Sequence, residues 1–91
     1  MSVMRDRVSI DVQIERDRQD DKWGEQNHDP LTWGAILTEE VGELAQAVLQ
    51  TRFGGALGGT VNIRREAVQV AAVAQAIVEC IDRGMWRWPH G

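Results

Sequence analysis

From Trp33 to Leu49 the apolar residues Trp33, Leu37, Val41, Leu44 and Val48 recur every three or four positions, the interval of one helical face. The spacing predicts a helix. Asp29-Pro30 supplies its start, with aspartate capping free backbone N–H groups and proline fitting the first turn. From about Ile63 a second periodic run, capped by Asn62, extends through Ile81 to Arg83, where Gly84 offers a C-terminal stop. Between the two runs, Phe53 to Thr60 holds four glycines in eight residues and reads as a flexible loop. Two long helices joined in this way form an antiparallel hairpin.

Ahead of the hairpin, Val8, Ile10, Val12 and Ile14 alternate strictly, which by periodicity alone favours a strand. The residues that follow argue against it. Glu15 to Trp23, ERDRQDDKW, is rich in charge and poor in β-formers, and a lone strand beside two helices has no partner for its backbone hydrogen bonds. Residues 10 to 22 are therefore expected to be helical. The tail MWRWPHG is too short for another helix, and its Trp86 and Trp88 are expected to pack. The expected fold is all-α: an antiparallel helix hairpin plus an N-terminal helix, one domain over residues 1–91 with its core at about 10–83.

Composition adds partners and compartment. The helix from Ile63 also carries Val68, Ala71, Ala72 and Val78 away from its main stripe, so it is apolar nearly all round and needs cover on more than one side. Ninety-one residues offer too few elements for that, so completion by homo-oligomerisation is expected, as a homodimer or homotetramer. Fourteen acidic against 10 basic residues leave a net charge of −4 with no basic block, which argues against nucleic-acid binding. The charged N-terminus holds no continuous apolar region, so no signal peptide, membrane span or membrane partner is expected. A lone cysteine, Cys80, excludes an internal disulfide, suits a reducing cytoplasm, and reads as a core thiol.

The candidate chemistry lies in LTEEVGELAQA, Leu37 to Ala47. At about 100° per residue, Glu40 falls at the edge of the apolar stripe, Glu43 a step further and Glu39 beyond both, so the three carboxylates flank the core. On the partner helix the stripe comprises Ile63, Val70, Val73, Ala74, Ile77 and Ile81, with Glu66 near its middle and Gln69 at its edge. An ionised carboxylate facing an apolar interior is costly unless paired or metal-bound. Lys22, Arg64 or Arg65 can supply an ion pair instead, and a simply solvated flank is the plainest reading. The rival pair Glu79 and Asp82 projects away from the stripe, and Asp82 lies about 24 Å along the axis from Glu66. The preferred cluster is thus Glu40, Glu43, Glu66 and Gln69. Four oxygen donors from facing helices suit Mg²⁺, with Mn²⁺ as a substitute; zinc would want histidine or cysteine, and His28, His90 and Cys80 show no ligand spacing. The glycine-rich GGALGG lacks the Lys-Ser/Thr ending of a phosphate-binding loop.

Glu39-Glu40-Val-Gly-Glu43 followed by Glu66-Ala-Val-Gln69, with KWGEQNHDPLTW upstream, resembles the EExxE and ExxD pattern of the MazG-like all-α nucleoside triphosphate pyrophosphohydrolases. The likeness covers roughly residues 10 to 83. It implies hydrolysis of a nucleoside triphosphate between the α and β phosphates with Mg²⁺, in a helical bundle completed by oligomerisation. Residue by residue, it implies Glu40, Glu43 and Glu66 as metal ligands, Glu39 as the carboxylate assisting the attacking water, and Trp23 and His28 as contacts to the nucleobase.

Two departures accompany the resemblance. Gln69 stands where the pattern has aspartate, so that donor is a neutral carbonyl and metal affinity is expected to fall. Larger members bring basic and amide side chains to the phosphates on a further helix; here Lys22, Arg52, Arg64 and Arg65, from this chain or a neighbour, are the expected replacements. The expected activity is hydrolysis of (d)NTP to (d)NMP and pyrophosphate. The alternatives are a nucleotide-binding or interaction module of the same fold that no longer turns over because of Gln69, and a purely structural helical protein.

Overall fold

The computed structural model describes residues 2–54 and 59–89, and among them forms three α-helices and no strand. Helix α1 spans Val3–Trp23, α2 Pro30–Phe53 and α3 Gly59–Asp82. The all-α expectation holds. The hairpin connector is shorter than expected, because α2 runs on to Phe53 and α3 already begins at Gly59; the intervening stretch read as flexible, residues 55–58, lies outside the described residues, as does His90.

Local chemistry explains most of the boundaries. Helix α1 starts earlier than expected because Ser2 caps it, its hydroxyl accepting the Arg5 N–H at 3.1 Å. At its far end Gly24, with φ 73°, closes the last turn by donating its N–H to the Asp20 carbonyl at 2.8 Å. Asp29 caps α2 as expected, accepting the Thr32 N–H at 3.0 Å with Pro30 in the first turn. Gly84, φ 74°, ends α3, and the Met85 N–H returns to the Cys80 carbonyl at 3.0 Å. That turn folds Met85 and Trp86 back onto the core, whereas Trp88, also expected to pack, is exposed.

Helix α3 is the central element. Helix α2 packs along one side of it and α1 along another, while α1 and α2 do not pack on each other. Two-sided cover for an apolar helix is thus partly provided within the chain: Ala72, outside the expected main stripe, is fully buried, and Val8 and Val12 face Ala67, Val68 and Ala71 across the α1–α3 seam. The alternation of Val8, Ile10, Val12 and Ile14 resolves the same way. Val12 is buried and Val8 lines the seam, four residues apart on one face, while Ile10 is exposed and Ile14, also exposed, borders the α1–α3 groove.

The core between α2 and α3 gathers Trp33, Val73 and Cys80 with Ile36, Leu37, Ala76, Ile77, Met85 and Trp86. Cys80 is buried in it, as expected of a core thiol. Val41, Val48, Ala74 and Ile81, expected in the stripes, are exposed. In α2 the inward positions are Trp33, Ile36, Leu37, Glu40, Leu44 and Ala47, so the buried face is turned by roughly 60° toward the glutamates.

Glu79, set aside as a metal ligand, is an ion-pair partner. Its carboxylate receives both terminal nitrogens of Arg16, at 2.7 and 2.8 Å, and each partner holds the other in its charged form: the hydrogen bond lowers the Glu79 pKa and raises that of Arg16. Arg16 is buried and Glu79 half open, so Glu79→Gln leaves a desolvated guanidinium with a weaker acceptor. We expect that variant to lose about 1–2 kcal/mol, less than a fully buried pair would, in urea unfolding followed by circular dichroism.

Candidate functional site

Because α1 and α2 both rest on α3 without touching, a cleft opens between them. It encloses about 400 Å³ and is lined by Arg18, Gln19 and Trp23 of α1, Gln26 and His28 of the α1–α2 linker, Trp33, Ile36 and Glu40 of α2, and Val73 and Ala76 of α3. The linker is held in place from α3's end, where Arg83 donates to the Gln26 carbonyl at 3.1 Å and to Asn27 Oδ1 at 2.8 Å. His28 is half-buried and meets Trp33 edge to face, ring centroids 4.8 Å apart, so it both packs and faces the cleft. Trp23 is exposed, with the Lys22 ammonium 4.8 Å from its ring centroid.

Glu40 stands at the end of this cleft and joins a second group. Ligand oxygens of Glu40, Glu43 and Glu66 all lie within 4.8 Å of one another, Glu40 and Glu66 half-buried and Glu43 exposed. The facing helices thus bring α2 and α3 carboxylates to one point. On its other side a polar cleft of about 300 Å³ is lined by Glu43, Gln46, Gln50, Asn62, Arg65 and Glu66. The carboxylates therefore sit at the seam between an aromatic cleft and an amide-rich one.

The electrostatics of this seam are unfavourable as they stand. One oxygen each of Glu40 and Glu66 is buried with no hydrogen-bond partner. Burial pushes the Glu40 pKa up, and the neighbouring charges of Glu43, Glu66, Glu39 and Glu15 push it further. Three carboxylates with oxygens within 4.8 Å of one another, two of them carrying a buried oxygen without a partner, are a hard donor set that fits a small divalent cation.

A pH dependence follows from the direction of that shift. With the folded pKa raised above the usual carboxylate value, protonation favours the folded state; this contribution is full below the unfolded pKa near 4.5 and is lost as pH rises through the folded pKa. Without divalent cations the melting temperature is expected to rise by a few degrees as pH falls from 7 toward 5, a slope that Glu40→Gln flattens. Scanning fluorimetry across that window in chelator checks it; a slope unchanged in Glu40→Gln refutes it. Below that window the depressed pKa values of Glu15, Glu79 and Asp29 reverse the trend.

The other expected site residues are distributed as follows. Glu39 is exposed on α2 beside Glu40, close enough to act on its charge. Gln69 is half-buried one turn beyond Glu66. Arg65 lines the polar cleft and donates to Asn62 at 2.9 Å. Arg64 is not brought to the carboxylates: it pairs with Asp11 of α1 at 2.7 Å, in the α1–α3 groove. Arg52 lies over the ring of Phe53. Sequence reasoning missed Arg18, Gln19 and Gln26 in the aromatic cleft and Gln46 and Gln50 in the polar one. Gln19 and Trp23 are four apart on α1, as are Gln46 and Gln50 on α2, so projecting those helices from a site residue would have found them. Arg18 pairs with Glu15 at 2.6 Å and also feels the charge of Glu40.

No protein-family model, no curated protein and no solved structure matches this chain.

Proposed function

We propose that the chain is a Mg²⁺-dependent nucleoside triphosphate pyrophosphohydrolase of the MazG-like kind, converting (d)NTP to (d)NMP and pyrophosphate. The observation that carries this reading is the convergence of Glu40, Glu43 and Glu66 from two helices, within 4.8 Å, at the end of an aromatic cleft. A purely structural role leaves the buried, unpartnered oxygens of Glu40 and Glu66 without compensation.

In this reading Glu40, Glu43 and Glu66 hold the cation, with the Gln69 carbonyl as a neutral fourth donor. Held there, Mg²⁺ would supply neutralisation of phosphate charge. Glu39 holds the attacking water and accepts its proton as the water oxygen joins phosphorus and the α–β bridging bond breaks, pyrophosphate leaving with the electron pair. Trp23 and His28 stack on and hydrogen-bond the base. Arg65, with Gln46 and Gln50, receives phosphate oxygens in the polar cleft, and Lys22, over the Trp23 ring at the end of α1, is the candidate donor on the aromatic side; Arg64, paired with Asp11, serves only if a neighbouring copy presents it. Large apolar residues exposed on all three helices favour a homo-oligomer, a dimer or dimer of dimers. No helix among the described residues is long and apolar enough to cross a membrane, and a cytoplasmic setting suits the reduced Cys80.

The test is to incubate the protein with each standard NTP and dNTP plus Mg²⁺ and identify products by chromatography. Monophosphate with pyrophosphate supports the proposal; diphosphate with orthophosphate, or no product and no Mg²⁺-dependent rise in melting temperature, refutes it. Gln69 in a ligand position favours one alternative, a nucleotide-binding module, which predicts nucleotide-dependent stabilisation without turnover.

A further inference from the structure

We infer that Arg18 of α1 grips the α-phosphate of the nucleotide, a contact separate from the one Arg65 makes with the leaving pyrophosphate. The inference rests on the reading that the aromatic cleft holds the base and that Glu40, Glu43 and Glu66 hold a cation. A nucleotide whose base lies against Trp23 and His28 meets the carboxylates with its first phosphate, at the Glu40 end, and Arg18 lines the same cleft as Glu40. The two side chains sense each other. Hydrogen bonding to Glu15 is the main cause raising the Arg18 pKa, and the charge of Glu40 adds to it.

The guanidinium is arranged for that contact. It carries five N–H groups in one plane, and Glu15 takes two of them, accepting from Nε at 2.9 Å and from Nη2 at 2.6 Å. Nη1 makes no hydrogen bond among the described residues. The edge formed by Nη1 and Nη2 is left to two non-bridging phosphate oxygens, in the bidentate geometry that arginine favours. Glu15 is itself held, its side chain 12% exposed and accepting from Gln19 at 3.0 Å, while the Arg18 side chain is 55% exposed. Arg18 is thus tethered along one edge and within reach of a ligand along the other.

Other cations are placed elsewhere. Among the described residues Arg18 is the one arginine or lysine lining the aromatic cleft. Arg16 and Arg64 are bonded to Glu79 and Asp11, Arg83 holds the linker, and Lys22 stands outside the lining, over the Trp23 ring. Charge makes the need concrete. Three carboxylates outweigh one divalent ion, so a phosphate brought to the seam meets net negative charge until a guanidinium joins it. As the water oxygen bonds to the α-phosphorus and the bridging bond breaks, Arg18 offsets the charge on the non-bridging oxygens.

Binding of the product and its parts tests this without turnover. Titration calorimetry of the intact protein in Mg²⁺ compares each dNMP with its own nucleoside and with pyrophosphate. The parent chain is expected to bind at least one dNMP roughly tenfold or more tighter than its nucleoside, and Arg18→Gln to erase most of that gain while pyrophosphate affinity changes less than about threefold. Arg65→Gln is expected to do the reverse. Arg18→Lys, which keeps the charge but not the fork, is expected to fall between the parent and Arg18→Gln. The inference is overturned if the phosphate brings the parent chain no gain, if the gain survives Arg18→Gln, or if Arg18→Gln weakens nucleoside and pyrophosphate as much as dNMP. Should Arg18→Gln lose its helical signal, an undiminished gain in Arg18→Lys overturns it. Turnover is read separately: an Arg18-dependent gain in a chain that releases no pyrophosphate sinks the catalytic reading alone, and pyrophosphate release without such a gain sinks only the role of Arg18.

Discussion

Glu43→Gln is expected to reduce Mg²⁺-dependent pyrophosphate release by at least roughly 100-fold while leaving the protein as stable as before, or more so, in the absence of metal. The two halves of that expectation come from one geometry. Glu43, Glu40 and Glu66 place oxygens within 4.8 Å of each other, so removing one charge deprives a cation of a ligand and at the same time relieves like-charge repulsion on Glu40, whose carboxyl is already pushed toward its protonated form by burial and by Glu43. For an exposed side chain such relief is worth about 0.2–1 kcal/mol after solvent screening. A variant that lost activity through misfolding would lose stability too. The decisive measurement pairs a pyrophosphate assay with melting curves in chelator and in Mg²⁺. Activity retained within tenfold, or a Mg²⁺-induced stabilisation as large as in the parent chain, would remove Glu43 from the cation site.

Much of this arrangement was legible in the sequence, and what was not follows from how helices encode their faces. The Asp29-Pro30 start and the Gly84 stop could be read because caps depend on a few adjacent residues. The meeting of Glu40 and Glu43 with Glu66 could be read because antiparallel helices of known connection bring a limited set of levels together. Helix phase was harder. In α2 apolar residues stand at Val41 and Val48 as well as at Trp33, Leu44 and Ala47, so periodicity alone admits a stripe centred on either set, and the face that α3 covers is the one containing Glu40. The apolar residues on the other set are what make α2's outward side uncharged. Arg64 illustrates a different limit: its pairing with Asp11 depends on where α1 lies across α3, which no local pattern in either helix specifies.

Trp33→Ala is expected to be the most damaging single substitution, because the side chain that anchors the core also walls the cleft. Trp33 is 1% exposed and packs with Val73, Cys80, Ile36 and Leu37. Truncating a buried tryptophan costs about 3–5 kcal/mol, against a total stability of about 5–14 kcal/mol for a chain of this length. Urea unfolding should therefore shift to much lower concentration, and a loss below about 1 kcal/mol would show that the core does not depend on this residue. Trp33→Phe separates packing from polarity. The indole Nε1–H is buried without a partner, so phenylalanine removes an uncompensated donor along with part of the volume, and its net cost is expected to be well under that of alanine. Phenylalanine also keeps a ring for the edge of His28, which packs on Trp33 at 4.8 Å, so nucleotide-dependent stabilisation should survive in Trp33→Phe and fail in whatever fraction of Trp33→Ala remains folded. The ordering follows from α3 having only one strongly buried aromatic partner on α2: with so small a core, the residue that holds the helices together is also the one that shapes the space between them.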